Sequence, residues 1–570
     1  MDYTIKIGGE AGQGILTIGD TLARLFARSG YHVFTHQDYE SRIRGGHNIY
    51  QIRVADQPVM ASRNGIDILV VLDSATIPLH EKELTTDGLI VYDAAATKQK
   101  YPQPNYLDVP FAQIAMEQTG QAIMANSVAT GAVLGMLGVA TGFLESIFHD
   151  LFKKDDVVAA NMKAAKAGYA YAQEHCVRCS FFPADEARAK MLIQGNDAIG
   201  LGALASGLKF YSAYPMTPST SIMLSVAARA REYGVIVEQA EDEIAAINMA
   251  LGASYAGVRA MTASSGGGFA LMVEGLSLAA ITETPIVIGL VQRPGPATGL
   301  PTKTEQADLN FALYSAHGEF PRVLLAPGTP EQAFFLTNKA FDLAEKYQVP
   351  VIILSDQYLA DTQWTFDDFD TSRLIYRDYR VRGKAFAEMS SYQRHACTET
   401  GVSPMAVPGD GPHVVITDSD EHNETGNLVE DIETRNRMME KRLFKKMPLI
   451  QAEIAPPACY GHHAPEIVLV GWGSTYGLLK ESVDALNVCC SAAMLHFSEV
   501  YPLPLPEQAN WLGLLRSAKV TICVENNATS QFARLVRSET GFTFDHLITK
   551  YDGRPFLLEE LLGEINARRG

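Results

Sequence analysis

The sequence predicts an α/β chain of three doubly wound domains, and three observations carry that prediction. Short apolar, β-branched runs alternate with amphipathic helical patterns in three separate stretches. Glycine- or proline-rich turns follow several of the strand-like runs, where open α/β sheets build their sites. The 570 residues, 47% of them apolar, are enough for about three or four packed cores.

The first stretch covers 1–185. Residues 3–7 read as a strand, 8–14 as a glycine turn and 15–29 as an amphipathic helix, with further strands at 49–54, 68–72 and 89–91. The uncharged run 128–144 is shorter than the ~20 residues of a membrane span and reads as a buried helix. The second stretch, 186–365, carries strands at 210–213, 235–237, 286–290, 323–325 and 351–354. Residues 366–460 hold Pro, Asp, His and Glu with little periodicity and read as a long structured connection. The third stretch, 461–570, has strands at 467–470 and 520–524 and ends in a charged helix.

Composition excludes several classes. The formal charge of −18 (47 basic against 65 acidic residues) repels phosphate backbones and anionic lipid, so neither nucleic acid nor a membrane surface is an expected partner. The chain enters a strand from Met1 without a basic and apolar leader, so a cytoplasmic location is expected. Seven cysteines do not make a disulfide framework. The single C-x-x-C, Cys176 and Cys179, supplies only two metal ligands and reads as two ordinary thiols.

The motifs sit in the turns. The glycines of the first turn, Gly9, Gly12 and Gly14, lie between a strand and a helix, where bare amides favour anions; a tight turn without ligand is the alternative. Arg42, Arg44, Gly46 and His47 form a locally basic loop suited to a phosphate, a carboxylate or an acidic partner, or to internal ion pairs. Tyr214, Pro215, Met216, Thr217 and Pro218 form a proline-stiffened turn that holds the Thr217 hydroxyl at a strand end. Glu238, Gln239, Glu241, Asp242 and Glu243 open an alanine-rich helix, where most of the acid suits the helix dipole. One inward carboxylate there would have a raised pKa. Residues 262–269, with Ser265, Gly266 and Gly267, read as a turn stripped of side chains for a close approach. Residues 292–306 form a rigid loop with two cations, Arg293 and Lys303, either of which could clamp a substrate carboxylate. His413, Asp418, Asp420, Glu421 and His422 lack ligand spacing and read as a solvated loop.

At these residues the sequence resembles the 2-oxoacid:ferredoxin oxidoreductases, in the form that fuses a small gamma part ahead of the alpha part. The matching stretches are 8–14, 44–47, 214–219, 241–252, 293–306, 317–322, 471–475 and 524–526, in the family's order along nearly the whole chain. The resemblance implies a gamma-type Rossmann-like domain at 1–185 and a domain at 186–365 that binds the pyrimidine of thiamine diphosphate. It further implies a transketolase C-terminal-like domain at 461–570. Glu241 matches the glutamate that hydrogen-bonds the pyrimidine, and Thr217 the threonine beside the substrate carbonyl. Tyr214, Pro215, Ser265, Gly266 and Gly267 would line the cofactor, while Lys303 and Arg293 would meet the substrate.

The family keeps Mg²⁺, the diphosphate site and a [4Fe-4S] cluster on a beta subunit. Consistently, Gly409-Asp410-Gly411 ahead of Asn436 has no apolar strand leading into it and reads as a decoy of the diphosphate motif. The resemblance thus implies an α₂β₂ assembly with coenzyme A as substrate and ferredoxin as electron acceptor. Lys303 after Gly-Leu-Pro-Thr suggests a dicarboxylate, hence oxidative decarboxylation of 2-oxoglutarate to succinyl-CoA and CO₂, or the reverse. Pyruvate and branched 2-oxoacids are the alternatives within the family. A non-catalytic coenzyme-binding assembly subunit is the alternative from another class.

Overall fold

The computed structural model describes residues 1–42, 45–176 and 188–569. Arg44 of the basic loop and Cys179 of the C-x-x-C lie outside the described residues. The chain divides into two units: Met1–Ile193 with Asp361–Phe369 and Leu557–Glu560, and Gln194–Ala360 with Asp370–Phe556 and the residues from Leu561 onward.

The first unit is built on an eight-stranded mixed sheet. Its parallel half runs Tyr106–Asp108, Leu84–Tyr92, Ile66–Val71 and Asp2–Glu10. His47–Ala55, His32–Asp38 and Gln363–Phe366 then add antiparallel strands, and Met191–Gln194 forms the eighth at the edge beside Gln363–Phe366. Alternation sets the faces: Ile5, Ile7, Ile52 and Val54 are fully buried against the amphipathic helix Ile15–Arg28. Of the uncharged run only 128–137 lies in the helix Ala125–Leu137, buried from Ser127 to Leu137 and packed on Asp155–His175; 138–143 lie outside it and Leu144 opens the next helix, Leu144–Phe152. The two backbones touch: a Cβ at Gly131 would lie 1.9 Å from the Ala165 carbonyl oxygen, and one at Gly168 2.1 Å from that of Val128.

The second unit holds two further α/β sheets. The larger has the order Glu499–Tyr501, Val323–Leu325, Pro350–Asp356, Ile286–Gln292, Arg259–Ser264, Leu208–Ala213, Ile236–Gln239. All its neighbours are parallel except Glu499–Tyr501, which arrives from the C-terminal third and pairs antiparallel. The central strands Ile286–Gln292 and Pro350–Asp356 are buried along their whole length, as expected of a parallel sheet covered on both faces. The smaller sheet runs Ala458–Gly461, Ala492–Phe497, Ile467–Trp472, Val520–Glu525, His546–Thr549. One apolar core unites the two sheets, with Trp472, Phe497, Trp511 and Phe532 on one side and Ile288, Leu290 and Leu324 on the other.

The connection 366–460 is anchored by buried charge. Glu283, in the turn after the helix Gly266–Ile281, accepts from Lys441 Nζ at 2.6 Å and from Lys446, and contacts His395 Nδ1 at 3.2 Å. Arg394 donates to the Glu283 main-chain oxygen at 2.6 Å. The side chains of Glu283, Lys441 and Lys446 are each only 1% exposed. Burial opposes the Glu283 charge, yet the two ammonium groups and His395 hold its carboxyl well below the ordinary range. Lys441 sits in a π-helical segment, Glu440–Lys445.

The expected solvated loop is therefore in part a buried one. His422 is fully buried with its ring 4.0 Å from that of His395, and Glu421 binds Arg435 and Arg442. Among the described residues no group of three His, Cys, Asp or Glu could hold a metal ion. Among them, too, no helix is long and apolar enough to cross a membrane.

Candidate active site

Four neighbouring parallel strands of the larger sheet end side by side, and each delivers one of the singled-out motifs. Ala213 leads into Tyr214 to Pro218, Gln239 into Glu241, Ser264 into Ser265 to Gly267, and Gln292 into Arg293. This is the carboxyl edge of a parallel sheet, where side chains from separate loops converge.

The Thr217 turn is held from three directions. The Thr217–Pro218 peptide is cis, and Ser219 Oγ donates to the Met216 carbonyl at 2.7 Å. From below, the fully buried Asn196 donates from Nδ2 to the Pro218 carbonyl and to Ser221 Oγ, both at 2.8 Å. From the neighbouring loop, Arg293 Nη1 donates to the Thr217 carbonyl at 2.6 Å. Met216 in turn accepts from Ser265 Oγ at 2.8 Å.

The residues 262–269 are not a turn. Thr262 to Ser264 end the strand Arg259–Ser264, Ser265 bridges, and Gly266 starts the helix Gly266–Ile281. The missing side chains are explained by two carboxylates lying against the helix start. A Cβ on Gly266 would meet Asp308 Oδ2 at 2.5 Å, and one on Gly268 would meet Glu243 Oε1 at 2.3 Å. Negative charge is favoured at a helix N-terminus, which accounts for both. Gly267 alone faces outward, its nearest neighbour being the Ala297 carbonyl oxygen at 3.9 Å.

Of the acidic run, Glu243 is the inward carboxylate, 2% exposed and accepting from Ser264 Oγ at 3.2 Å. Asp242 caps the helix Glu243–Tyr255 through the Ala245 amide at 2.8 Å. Glu241 is exposed at the surface of this chain. It precedes the Asp242 cap and lies outside the helix Glu243–Tyr255.

The loop 293–306 closes over this edge and concentrates charge. Burial pushes the Asp308 carboxyl up to about 6, against the pull of Arg293, and burial with Asp308 nearby pushes Glu305 up to about 7. Burial also lowers the Arg293 guanidinium, with Asp308 opposing. The stem of Lys303 packs beside Gly553, whose added Cβ would lie 3.2 Å from Lys303 Cβ. Gln306 is fully buried and ties the loop to the smaller sheet. Its Nε2 donates to the Trp472 carbonyl at 2.9 Å and its Oε1 accepts from the Asn526 amide at 3.1 Å.

The structure therefore gathers Thr217, Arg293, Ser265, Gly266 and Gly267 into one cluster with Tyr214 and Pro215 at its rim. Sequence reasoning missed Asn196 and Asp308, and met Gln306 only as the end of the loop 292–306. An asparagine directly after Gln194-Gly195 was the only signal for the first, and nothing local distinguished Asp308.

In the first unit the glycine turn is partly filled by its own chain. A Cβ on Gly14 would lie 1.9 Å from Asn126 Nδ2, and one on Gly9 2.5 Å from Gln13 Oε1, whereas Gly12 has open space. The helix Ile15–Arg28 has no side-chain cap, so its first amides are not spent on one. His47 Nε2 stands 2.8 Å from His80 Nε2, and His80 Nδ1 2.7 Å from Glu83 Oε1. Gly46 packs against the Glu40 carboxylate, where a Cβ would lie 2.5 Å from Oε2.

Comparison with known proteins follows the same division. Residues 201–441 match the family model described as pyruvate flavodoxin/ferredoxin oxidoreductase, thiamine diphosphate-binding, and residues 4–171 match the model described as pyruvate ferredoxin/flavodoxin oxidoreductase. The 2-oxoacid:ferredoxin oxidoreductase subunit alpha of a Sulfolobus species is 32% identical over 98% of this chain and 96% of its own length. The 2-oxoglutarate oxidoreductase subunit KorA of Mycobacterium tuberculosis is 29% identical over 98% of this chain and 90% of its own. A solved structure of 2-oxoglutarate:ferredoxin oxidoreductase from Magnetococcus marinus, with 2-oxoglutarate, coenzyme A and succinyl-CoA bound, superposes with a TM-score of 0.88. It is 30% identical and the match covers 99% of both chains.

Proposed function

The chain belongs to the 2-oxoacid:ferredoxin oxidoreductases as an alpha subunit, and on that premise we propose that it catalyses CoA-dependent oxidative decarboxylation of 2-oxoglutarate, or its reverse, together with a beta subunit. The observation that carries this reading is the contact of Arg293 with Thr217 at a cluster of four strand ends.

The cluster fits the pyrimidine half of thiamine diphosphate. Gly267 leaves a flat, side-chain-free patch, and Tyr214 and Glu241 stand exposed at neighbouring strand ends. Thiamine diphosphate supplies, when bound, a nucleophilic carbon and a sink for the electrons left by departing carbon dioxide. Glu241 is proposed to hold a proton at its carboxylate toward the aminopyrimidine, and the Thr217 hydroxyl to donate toward the substrate's 2-oxo oxygen as charge develops there. Arg293 fixes the Thr217 turn and brings a guanidinium to the substrate's carboxylate end. Lys303 is the proposed partner of the distal carboxylate, which selects a dicarboxylate over pyruvate.

Support for a second chain at this edge comes from what is exposed. Leu224, Ile236, Ile244, Leu271 and Leu300 are 46–62% exposed on the elements that carry the site. A beta subunit holding Mg²⁺, the diphosphate and a [4Fe-4S] cluster, in an α₂β₂ assembly serving ferredoxin in the cytoplasm, is the proposed partner. The expected domain division at 185, 365 and 460 belongs to the same reading. Coenzyme A is proposed to reach the first domain. There Gly12 and the uncapped helix start suit a phosphate, with Gly9, Gly14, Gly46 and His47 shaping the loops around it.

The test is anaerobic dye reduction by the chain alone and with its co-purifying partner, using 2-oxoglutarate, pyruvate and 2-oxoisovalerate with coenzyme A. Turnover only with the partner, mainly on 2-oxoglutarate, is expected. Preference for pyruvate would remove the Lys303 assignment and keep the chemistry. No turnover on any 2-oxoacid would favour a coenzyme-binding assembly subunit, as would full activity in Glu241→Gln.

A further inference from the structure

Far along the chain from these motifs, the turn that ends the helix Tyr476–Leu486 brings two adjacent thiols together. Cys489 Sγ lies 3.4 Å and Cys490 Sγ 3.2 Å from the Leu486 carbonyl oxygen, so both sulfurs converge on one acceptor. They also share one donor: Arg569 Nη1 stands 3.5 Å from Cys489 Sγ and 3.4 Å from Cys490 Sγ. Successive side chains in extended backbone point to opposite faces. Here the turn and the two shared partners hold both sulfurs on the same side.

The pair is also open to small solutes. Cys489 is exposed and Cys490 half-buried, in contrast to the buried Cys523. The Arg569 guanidinium holds the Cys489 thiol below its ordinary range, while burial and the neighbouring Cys489 push Cys490 up. One sulfur is therefore disposed to react first and the other to follow, the arrangement of an attacking and a resolving thiol.

We infer that Cys489 and Cys490 form a modification site for hydroperoxides, closing reversibly to a disulfide between adjacent residues. The Cys489 thiolate attacks the terminal peroxide oxygen, the O–O bond breaks, and Cys489 becomes a sulfenic acid as the alkoxide (hydroxide from hydrogen peroxide) leaves. That anion takes the Cys490 proton. The Cys490 sulfur then attacks the sulfenic sulfur, an S–S bond forms, and hydroxide leaves and is protonated. Two thiols and one hydroperoxide give one disulfide, water and the corresponding alcohol, or two waters from hydrogen peroxide. A dithiol reductant reverses it by exchange. Closure removes the thiolate that faces Arg569, so the C-terminal end of the helix Leu558–Arg568 loses its only electrostatic tie to this turn among the described contacts of Arg569.

The site is tested on the anaerobically purified protein with its partner, treated with one equivalent of hydrogen peroxide, alkylated and digested. The expected peptide carries both cysteines unalkylated, lighter by two hydrogens, and regains two alkylation sites after dithiothreitol. Cys490→Ser is expected to stop at a sulfenic acid on Cys489, trapped by dimedone. Arg569→Gln is expected to slow the first step about tenfold at neutral pH, as loss of a neighbouring cation does for a thiolate. Phenylarsine oxide, which needs two convergent thiols, should bind wild type in a one-to-one ratio and leave Cys490→Ser unbound. Full alkylation of both thiols after peroxide would overturn the proposal. So would direct passage of Cys489 to the sulfinic acid in wild type, or failure of the arsenical to bind.

Discussion

Arg293 Nη1 donates to the main-chain oxygen of Thr217 at 2.6 Å, joining loops 76 residues apart in sequence. The contact makes the Thr217 turn depend on the residue proposed to meet the substrate's carboxylate.

Arg293→Lys keeps the charge and loses the planar fork. A charge-assisted hydrogen bond contributes about 1.5–3 kcal/mol, so kcat/KM for the 2-oxoacid should fall about 10- to 100-fold with the fold intact by circular dichroism. Steady-state kinetics decide it; an unchanged kcat/KM would mean that the contacts from Asn196, Ser219 and Ser265 hold the turn without Arg293.

Lys303→Ala should separate substrates. Turnover of 2-oxoglutarate is expected to lose about 100-fold in kcat/KM, because the distal carboxylate is left without its partner, while pyruvate turnover changes little. Equal losses on both substrates would assign Lys303 to loop packing beside Gly553.

The Asp308 carboxyl, raised by burial to about 6, gives a pH signature. The unfolded chain releases this proton near the ordinary value of 3.8 and the folded chain only near 6. The folded state thus binds more protons between those values, and stability declines as pH rises through that window. Asp308→Asn should flatten the decline between about pH 4 and 6 in thermal melts. It should also lower the Glu305 carboxyl, which Asp308 helps to raise. Identical pH profiles for variant and wild type would place Asp308 in solvent.

Glu283 works in the opposite direction. Its depressed carboxyl contributes stability that is present above the ordinary value of 4.5 and is lost as pH falls through the folded value. Glu283→Gln leaves Lys441 and Lys446 without a counter-charge and should cost about 3–5 kcal/mol at neutral pH, read from urea unfolding. Adding Lys441→Met and Lys446→Met should recover much of the loss, since a buried charge group is replaced by apolar volume.

Much of the scaffold was legible because parallel strands buried on both faces spell themselves as apolar runs. The expected strands at 286–290, 323–325 and 351–354 all lie within observed ones. Residues 262–269 read as a turn because the strand end 262–264 and the helix start are both short-chained, and at Gly266 and Gly268 the reason lies elsewhere in sequence: Asp308 and Glu243 fill the space. Periodicity could not single out Glu243 as the inward acid of its run, since the first turn of a helix favours acid on every face. The connection 366–460 hid its order for a related reason. Its ties are ion pairs to Glu283, and ion pairs leave no repeating pattern.

The strand Glu499–Tyr501 leaves its own sheet to guard the edge of the larger one, beside Val323–Leu325. A chain shortened at residue 460 would therefore lose more than its last 110 residues. The open backbone of Val323–Leu325 would be offered to any neighbouring chain, and the apolar face that Trp472 and Phe497 cover would go with it. Such a truncation should be recovered as aggregate, and interchange of these segments between relatives should succeed only when the two parts are exchanged together.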